Sequence, residues 1–419
     1  MFPESPLLPP PKVPSWPFSS SDGPKEIMKI SGTVQRRSAA TLQVTEAGPT
    51  QAYLVAAATQ GHATAQTAAA TYEQIARELR ERHLEIVQER IFGSRAVWPT
   101  IRSVRRRLFQ SQGLEAGGPL TYIQGRPPWG RGLSGVIIRA VQKRRPGDRL
   151  WTIRHRGWPV GRGWQRQGHT TLILQNLQGL SPGSNGANRP PLQARRLLTQ
   201  ANHILNEQGA AYRDVVRTWF YLKDILAWYA DFNQARTAMY REFGLLPGKA
   251  DNGYKLPSST GIQGTPPSGA AGALDLLAVV GPSGSRPVQH LCSPGQPEAF
   301  SYGSAFSRGI LIEEPEVSLV QLSGTAAIDA QGQSLYPNDV RAQIDCTFEK
   351  IELLLGQVGA TPSDVAAASV LVKYPEQAQI YRERAAARGL QEIPAVVTVA
   401  DICRPELLFE MDAEVVLRQ

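Results

Sequence analysis

Glu410 lies in the stretch Leu408–Val416, where Phe409, Met411, Ala413 and Val415 alternate with Leu408, Glu410, Asp412 and Glu414. That period of two predicts a strand with one apolar and one acidic face. A carboxylic acid in such a row can deliver a proton only if it is protonated near neutral pH. Burial or neighbouring like charges raise its pKa toward that range, and Asp412 and Glu414 are the like charges at hand. Taken by itself, the row also fits a solvated acidic face. Arg217 and Arg308 have the fork geometry that holds a carboxylate, although either one also fits a surface ion pair. Tyr221, Thr260, Tyr302, Ser323 and Gln343 are candidate partners of a polar ligand, or else satisfied buried polar groups. Lys373 is a further cation. The six histidines, His62, His83, His155, His169, His203 and His290, are scattered. None is spaced like a metal-ligand set or a catalytic triad, so no metal is assigned and no cofactor is expected. The glycine-rich stretches lack a phosphate-loop or dinucleotide fingerprint.

These residues must be positioned by a small set of elements, and the elements repeat. Near the C-terminus, Val317–Ser323 reads as a strand and 339–356 as a helix, with Ile344, Phe348, Ile351 and Leu355 on one face. Val365–Val372 is a second strand, 375–388 a second helix, and Leu408–Val416 closes the unit. The middle of the chain has the same order. Thr170–Leu177 is a strand, and Leu192–Gln208 a helix with Leu197, Ala201, Ile204 and Leu205 on one face. Asp214–Leu222, Ile225–Phe243 and Ala273–Val280 follow as strand, helix and strand. A weaker first copy has a strand at Ala52–Thr59, a helix at Ala68–Arg82 and a closing strand at Leu133–Val141. The fold class expected is α+β in tandem modules. The predicted division is a Pro-rich arm over 1–40, modules over 41–142, 168–290 and 291–419, and a basic, Trp-rich connector over 143–167.

The chain has 419 residues and a formal net charge of +9. Eleven Lys/Arg fall between Arg126 and Arg166 against a single acid, Asp148, so the remainder is close to neutral. Trp129, Trp151, Trp158 and Trp164 share that segment. Basic residues interleaved with aromatics suit single-stranded nucleic acid. The competing reading, a solvated connector whose rings pack on a neighbour, is favoured because no nucleic-acid motif accompanies the segment. A nucleic-acid partner is therefore not expected. No apolar run is long enough to span a membrane. Cys292, Cys346 and Cys403 are too few and too far apart for a disulfide framework, which fits a reducing cytoplasm.

The repeat, with "LSGT", "FEKIELLLGQVGATPSDV" and "CRPELLFEMDAEV", resembles the RidA/YjgF superfamily. The resemblance implies trimeric α+β units with ligand sites in the clefts between them, here closed into an internal pseudo-trimer by one monomeric chain. A closer likeness is to the chorismatases, on Arg217-Thr218-Trp219-Phe220-Tyr221, Ser259-Thr260-Gly261-Ile262, Tyr302-Gly303 with Phe306-Ser307-Arg308-Gly309, and Leu407-Leu408-Phe409-Glu410. The family's extra Pro-Arg between Tyr-Gly and Phe-x-Arg is missing, so one substrate-facing Arg is either lost or supplied from elsewhere.

That resemblance implies a small dianionic substrate, chorismate. Its enol ether would be cleaved to pyruvate plus 3-hydroxybenzoate or a dihydroxycyclohexadiene carboxylate. It casts Glu410 as catalytic acid and Arg217, Tyr221, Thr260, Tyr302, Arg308, Ser323, Gly324, Gln343 and Cys403 as substrate-binding residues. Cys403, seven residues before Glu410, and Gly324, after Ser323, match the 3-hydroxybenzoate-forming branch. Cys403 also fits a small core residue. RidA imine deaminases keep an Arg after the Pro-Ala of their last hairpin. Val396 and Ser259 stand there instead, which argues against imine deamination. A non-catalytic small-acid or RNA-binding protein is the remaining alternative.

Overall fold

The computed structural model describes residues 32–37, 39–180, 189–246, 256–292 and 299–417. The first sheet contains β1 (Gly32–Arg37), β2 (Ala40–Glu46), β3 (Gln51–Ala58), β4 (Glu85–Gly93), β5 (Thr121–Gln124) and β6 (Leu133–Val141), with helices α1 (Thr64–Glu81) and α2 (Trp98–Ser111). The second contains β7 (Arg149–His155), β8 (Trp158–Arg166), β9 (His169–Leu177), β10 (Val215–Leu222), β11 (Ser258–Gln263) and β12 (Gly272–Val280), with α3 (Pro190–Glu207) and α4 (Ile225–Glu242). The third contains β13 (Val288–Leu291), β14 (Gly309–Glu314), β15 (Val317–Thr325), β16 (Val365–Val372), β17 (Ala395–Val399) and β18 (Phe409–Leu417), with α5 (Val340–Gly356) and α6 (Gln377–Ala387). All three are 6-stranded sheets of one topology, for example β1-β2-β3-β6-β4-β5 in the first. The first copy is therefore as complete as the others, and Arg102–Arg107 lies within α2.

Each sheet buries one face under its own helices. In the second module Leu197, Ala201, Ile204 and Leu205 of α3 pack with Leu172, Leu174, Leu274 and Leu276 of the sheet. The opposite faces of all three sheets meet in one shared core. Tyr53, Val55 and Ile137 come from the first module, Ile173, Trp219 and Leu277 from the second, and Ile310, Leu319 and Val416 from the third. The contacts run in a ring: β5 on β9, β11 on β15, and β17 on β3 and β6. Two strand faces buried per sheet account for the nearly continuous burial of β6, β12 and β18. Glu410, Asp412 and Glu414 are buried with them, so the acidic row is not a solvated face. Buried ion pairs cross the module boundaries: Arg90 with Glu414, Arg139 with Glu314 at 3.2 Å, and Arg217 with Asp412 at 2.9 Å.

Two boundaries differ from the sequence reading. Residues 149–166 are not a connector but two edge strands of the second sheet, β8 pairing antiparallel with β9. The charged run hides this because most of its side chains are held by partners far away in sequence. Arg162 bonds Thr152 and Glu115, Arg166 bonds the Gln142 carbonyl and Thr50, and Trp151 Nε1 donates to Gln208 at 2.9 Å. Gly161 and Gly163 allow the close packing, since a Cβ there would sit 2.2 Å from the Ile173 carbonyl oxygen and 2.3 Å from the Trp151 ring. Trp164 is buried, while Trp158 at the hairpin tip is exposed. Gly32–Arg37, counted in the N-terminal arm, form the first strand, and the rest of that arm up to residue 31 lies outside the described residues.

Candidate active site

The closing strands allow residue-by-residue comparison of the three modules. Phe92 pairs with Gly135, Tyr221 with Ala273, and Leu371 with Glu410. Gly135, Ala273 and Glu410 thus hold one position, and Ile137, Asp275 and Asp412 the position two residues on. Only the third module has an acid at the first position. At Gly135 a Cβ would lie 2.7 Å from Val396 of β17, so that cleft is filled by an aliphatic side chain. In the second module Asp275 accepts from Thr121 at 2.5 Å beside Ala273.

The corresponding position at Glu410 keeps a small cavity instead. It has a volume of about 40 Å³ and lies between α4 and β11 of the second module and the 304–308 segment, β15, the 403–404 loop and β18 of the third. Tyr229 and Arg236 reach it from α4, seven residues apart on one helical face. Ser259 and Gly261 come from β11. Phe306, Arg308, Gly324, Cys403 and Arg404 complete the wall with Glu410.

Glu410 and Asp412 share a strand face but not an environment. Asp412 accepts from Arg217 at 2.9 Å, Thr260 Oγ1 at 2.8 Å and the Ser369 backbone N–H at 3.1 Å. Glu410 has no hydrogen-bond partner among the described residues. Burial first, and the Asp412 charge second, push its carboxyl up from 4.5 to about 8, against an opposing pull from Arg217. At neutral pH it is a protonated acid facing a cavity. The two neighbouring carboxyls thus differ in their partners, Asp412 being ion-paired with Arg217 and Glu410 facing the cavity.

Local structure aims the Glu410 carboxyl. The β15–β18 ladder breaks register between Leu322 and Thr325, a bulge that takes Ser323 and Gly324 out of the pairing. A Cβ on Gly324 would stand 2.1 Å from Glu410 Oε1 and 3.3 Å from the Thr260 methyl. Glycine thus clears the space the carboxyl occupies. Ser323 Oγ accepts from the Ser259 N–H at 2.7 Å and donates to the Ser307 carbonyl at 2.5 Å, tying β11 to the third module.

The residues singled out from sequence divide into three groups. Glu410, Arg308, Gly324 and Cys403 line the cleft. Thr260, Ser323 and Arg217 stand behind it. Arg217 is fully buried, donates to Thr260 at 2.6 Å as well as to Asp412, and stacks on Trp219 at 4.6 Å. Tyr221 and Gln343 lie elsewhere. Tyr221 is in the shared core, its hydroxyl held well above 10 chiefly by burial. Gln343 donates to the carbonyls of Leu335, Tyr336 and Glu406 and accepts from the Leu408 N–H at 2.8 Å, fixing the entry to β18. Lys373 donates to the Pro405 carbonyl and lines a different cavity. The side chain of Tyr302 lies outside the described residues.

Arg236 was not singled out from sequence. It is buried in the cleft wall, donates to Asn233 at 2.7 Å, and lies 5.8 Å from the Phe306 ring; Arg308 lies 5.5 Å from the same ring. Two guanidiniums therefore flank one aromatic side chain at the mouth. Burial, and next the Glu410 charge, push the Cys403 thiol up to about 12, so it stays protonated. The histidines are less scattered than their spacing implies: His155, His203 and Glu207 bring ligand atoms within 4.8 Å of one another, away from the cleft.

Residues 302–417 match the family model described as Endoribonuclease L-PSP. No curated protein sequence matches the chain. Among solved structures, a chorismatase is similar with a TM-score of 0.59 and 19% identity, over 79% of this chain and 93% of its own. A YjgF/YER057c/UK114 family member from Mycobacterium tuberculosis aligns at 25% identity over 31% of this chain and 99% of its own, TM-score 0.25. RidA from a Psychrobacter aligns at 18% identity over 31% and 99%, TM-score 0.26. No helix among the described residues is long and apolar enough to cross a membrane. Residues 302–417 thus match the Endoribonuclease L-PSP family model, within a chain that has the fold of the solved chorismatase.

Proposed function

We propose that the protein is a cofactor-independent enzyme of the chorismatase type. It would cleave the enol ether of chorismate and release pyruvate. The observation that carries this reading is a protonated carboxyl, Glu410, facing an arginine-lined cavity at one of three otherwise equivalent positions. Enol-ether cleavage begins with protonation of the methylene carbon, and Glu410 is the acid for that step. Asp412 is ion-paired with Arg217 and absent from the cleft lining, so Arg217 is occupied by Asp412 rather than by the substrate. Arg236 and Arg308 are assigned to the two carboxylates of the dianion. Arg236 stands in for the Arg missing between Gly303 and Phe306. Gly324 and Cys403 leave room for the ring to turn its own hydroxyl toward the developing cation, the route to 3-hydroxybenzoate. Water in that place would give the dihydroxycyclohexadiene carboxylate.

The test is incubation of the purified protein with chorismate and identification of both products. Absence of pyruvate release would sink the proposal. Hydrolysis of imino acids would favour the deaminase reading, despite Val396. Three modules close the ring without a second copy, and we take the enzyme to act as a monomer.

Two further outcomes follow from the wall residues. Arg236→Gln keeps a hydrogen-bonding side chain but removes a charge-assisted contact worth about 1.5–3 kcal/mol. Its KM for chorismate is expected to rise about ten- to a hundredfold, with little change in thermal midpoint. Gly324→Ala places a methyl where the Glu410 carboxyl now sits. The carboxyl is the end of a flexible chain, so the fold survives while the acid is displaced. Steady-state turnover should fall by about tenfold or more, with circular dichroism unchanged.

A further inference from the structure

A second cavity, of about 500 Å³, shares no lining residue with the Glu410 cleft. Gln124, Gln263 and Val399 all line it. Their pairings, Gly93 with Gln124, Leu222 with Gln263 and Val372 with Val399, make them the same position in the three modules. A cavity lined by three equivalent strand ends straddles the pseudo-threefold axis. The ends are stitched together there, Gln263 N–H to the Asp401 carbonyl at 3.0 Å and Val399 N–H to the Arg126 carbonyl at 2.9 Å.

The lining is strongly cationic. Arg95, Arg126, Arg131 and Lys373 face one acid, Asp401. Lys373 is 3.7 Å from Asp401, and Arg95 donates to the Pro267 carbonyl at 3.3 Å. The side chains of Arg126 and Arg131 have no hydrogen-bond or ion-pair partner among the described residues. Ser94 and Ala96 also line the cavity. Like charges do not converge in a concave site for stability, since they repel one another, and an anion between them removes that cost.

We propose that this axial cavity binds a small polyanion bearing two or more oxyanion groups, held by Arg126 and Arg131 with Arg95 and Lys373 around them. It is separate from the Glu410 cleft and does not depend on what that cleft does. A ligand there would touch all three modules at once and bind only the closed ring, so it would stabilise the fold by mass action.

Isothermal titration with inorganic pyrophosphate, and separately with citrate, tests this on the full chain. Wild type is expected to bind at least one of the two, more weakly as salt rises; pyrophosphate alone points to phosphate esters, citrate alone to polycarboxylates. The double variant Arg126→Gln/Arg131→Gln should weaken binding about tenfold or more. Its fold is protected because both side chains are exposed and only the Arg126 backbone is used structurally. Arg308→Gln, in the other cleft, should leave the affinity unchanged. Equal binding by the double variant, loss of binding in Arg308→Gln, or no binding of either anion by wild type would overturn the proposal.

Discussion

Glu410→Gln is expected to reduce pyruvate release from chorismate by about 10²–10⁴-fold, the usual share of a general acid. The substitution keeps the side chain's shape and removes only its proton. Because Glu410 makes no hydrogen bond to the described protein, the amide breaks no existing contact and the fold should persist, as circular dichroism can verify. Stability adds an independent readout. The folded value of Glu410, about 8, lies above its ordinary 4.5, so the folded state holds this proton more tightly than the unfolded chain. That contribution is fully present below about pH 4.5 and is lost as pH rises through about 8. Urea denaturation of wild type should therefore decline across that window from this group, and the Gln variant should be flatter. A variant with full turnover would remove Glu410 from the mechanism.

Much of this arrangement was legible from periodicity. The alternation around Glu410 marks β18, and the apolar stripes mark α3 and α5, because burial on one face leaves a period in the sequence. The edge strands β7 and β8 left no such trace. Their arginines and tryptophans are held by partners distant in sequence, such as Gln208 and Glu115, and a charged edge strand reads as a linker. Arg217 was legible as a cation but not as Asp412's partner, since the two meet only when separate modules close. Arg236 had a signal that went unused. It lies four residues after Phe232 and three before Met239, a charge inside the buried face of α4, and a charge on an apolar face needs either a partner or a ligand. The position shared by Gly135, Ala273 and Glu410 needs the strand register, which a bulge in each closing pair shifts away from simple alignment.

Asp412→Asn separates the two carboxyls most directly. In wild type, turnover should fall as pH rises through about 8, because the proposed role of Glu410 requires its protonated form, which is lost there. Asp412 supports that high value by its negative charge, and it occupies Arg217, whose positive charge acts in the opposite direction. Removing the charge withdraws the support and leaves Arg217 unopposed. Both effects lower the Glu410 value, so the alkaline limb of the rate profile should move to lower pH. The acid at the heart of the cleft would then be largely ionised at neutral pH, and activity there would drop while activity under mildly acidic conditions is retained. The same change strands a fully buried guanidinium, which costs about 3–5 kcal/mol of stability, measurable by chemical denaturation. The two readouts distinguish the roles. If Asp412 serves only to hold the modules together, stability falls and the pH limb stays near 8. If it also sets the acid, the limb moves with it.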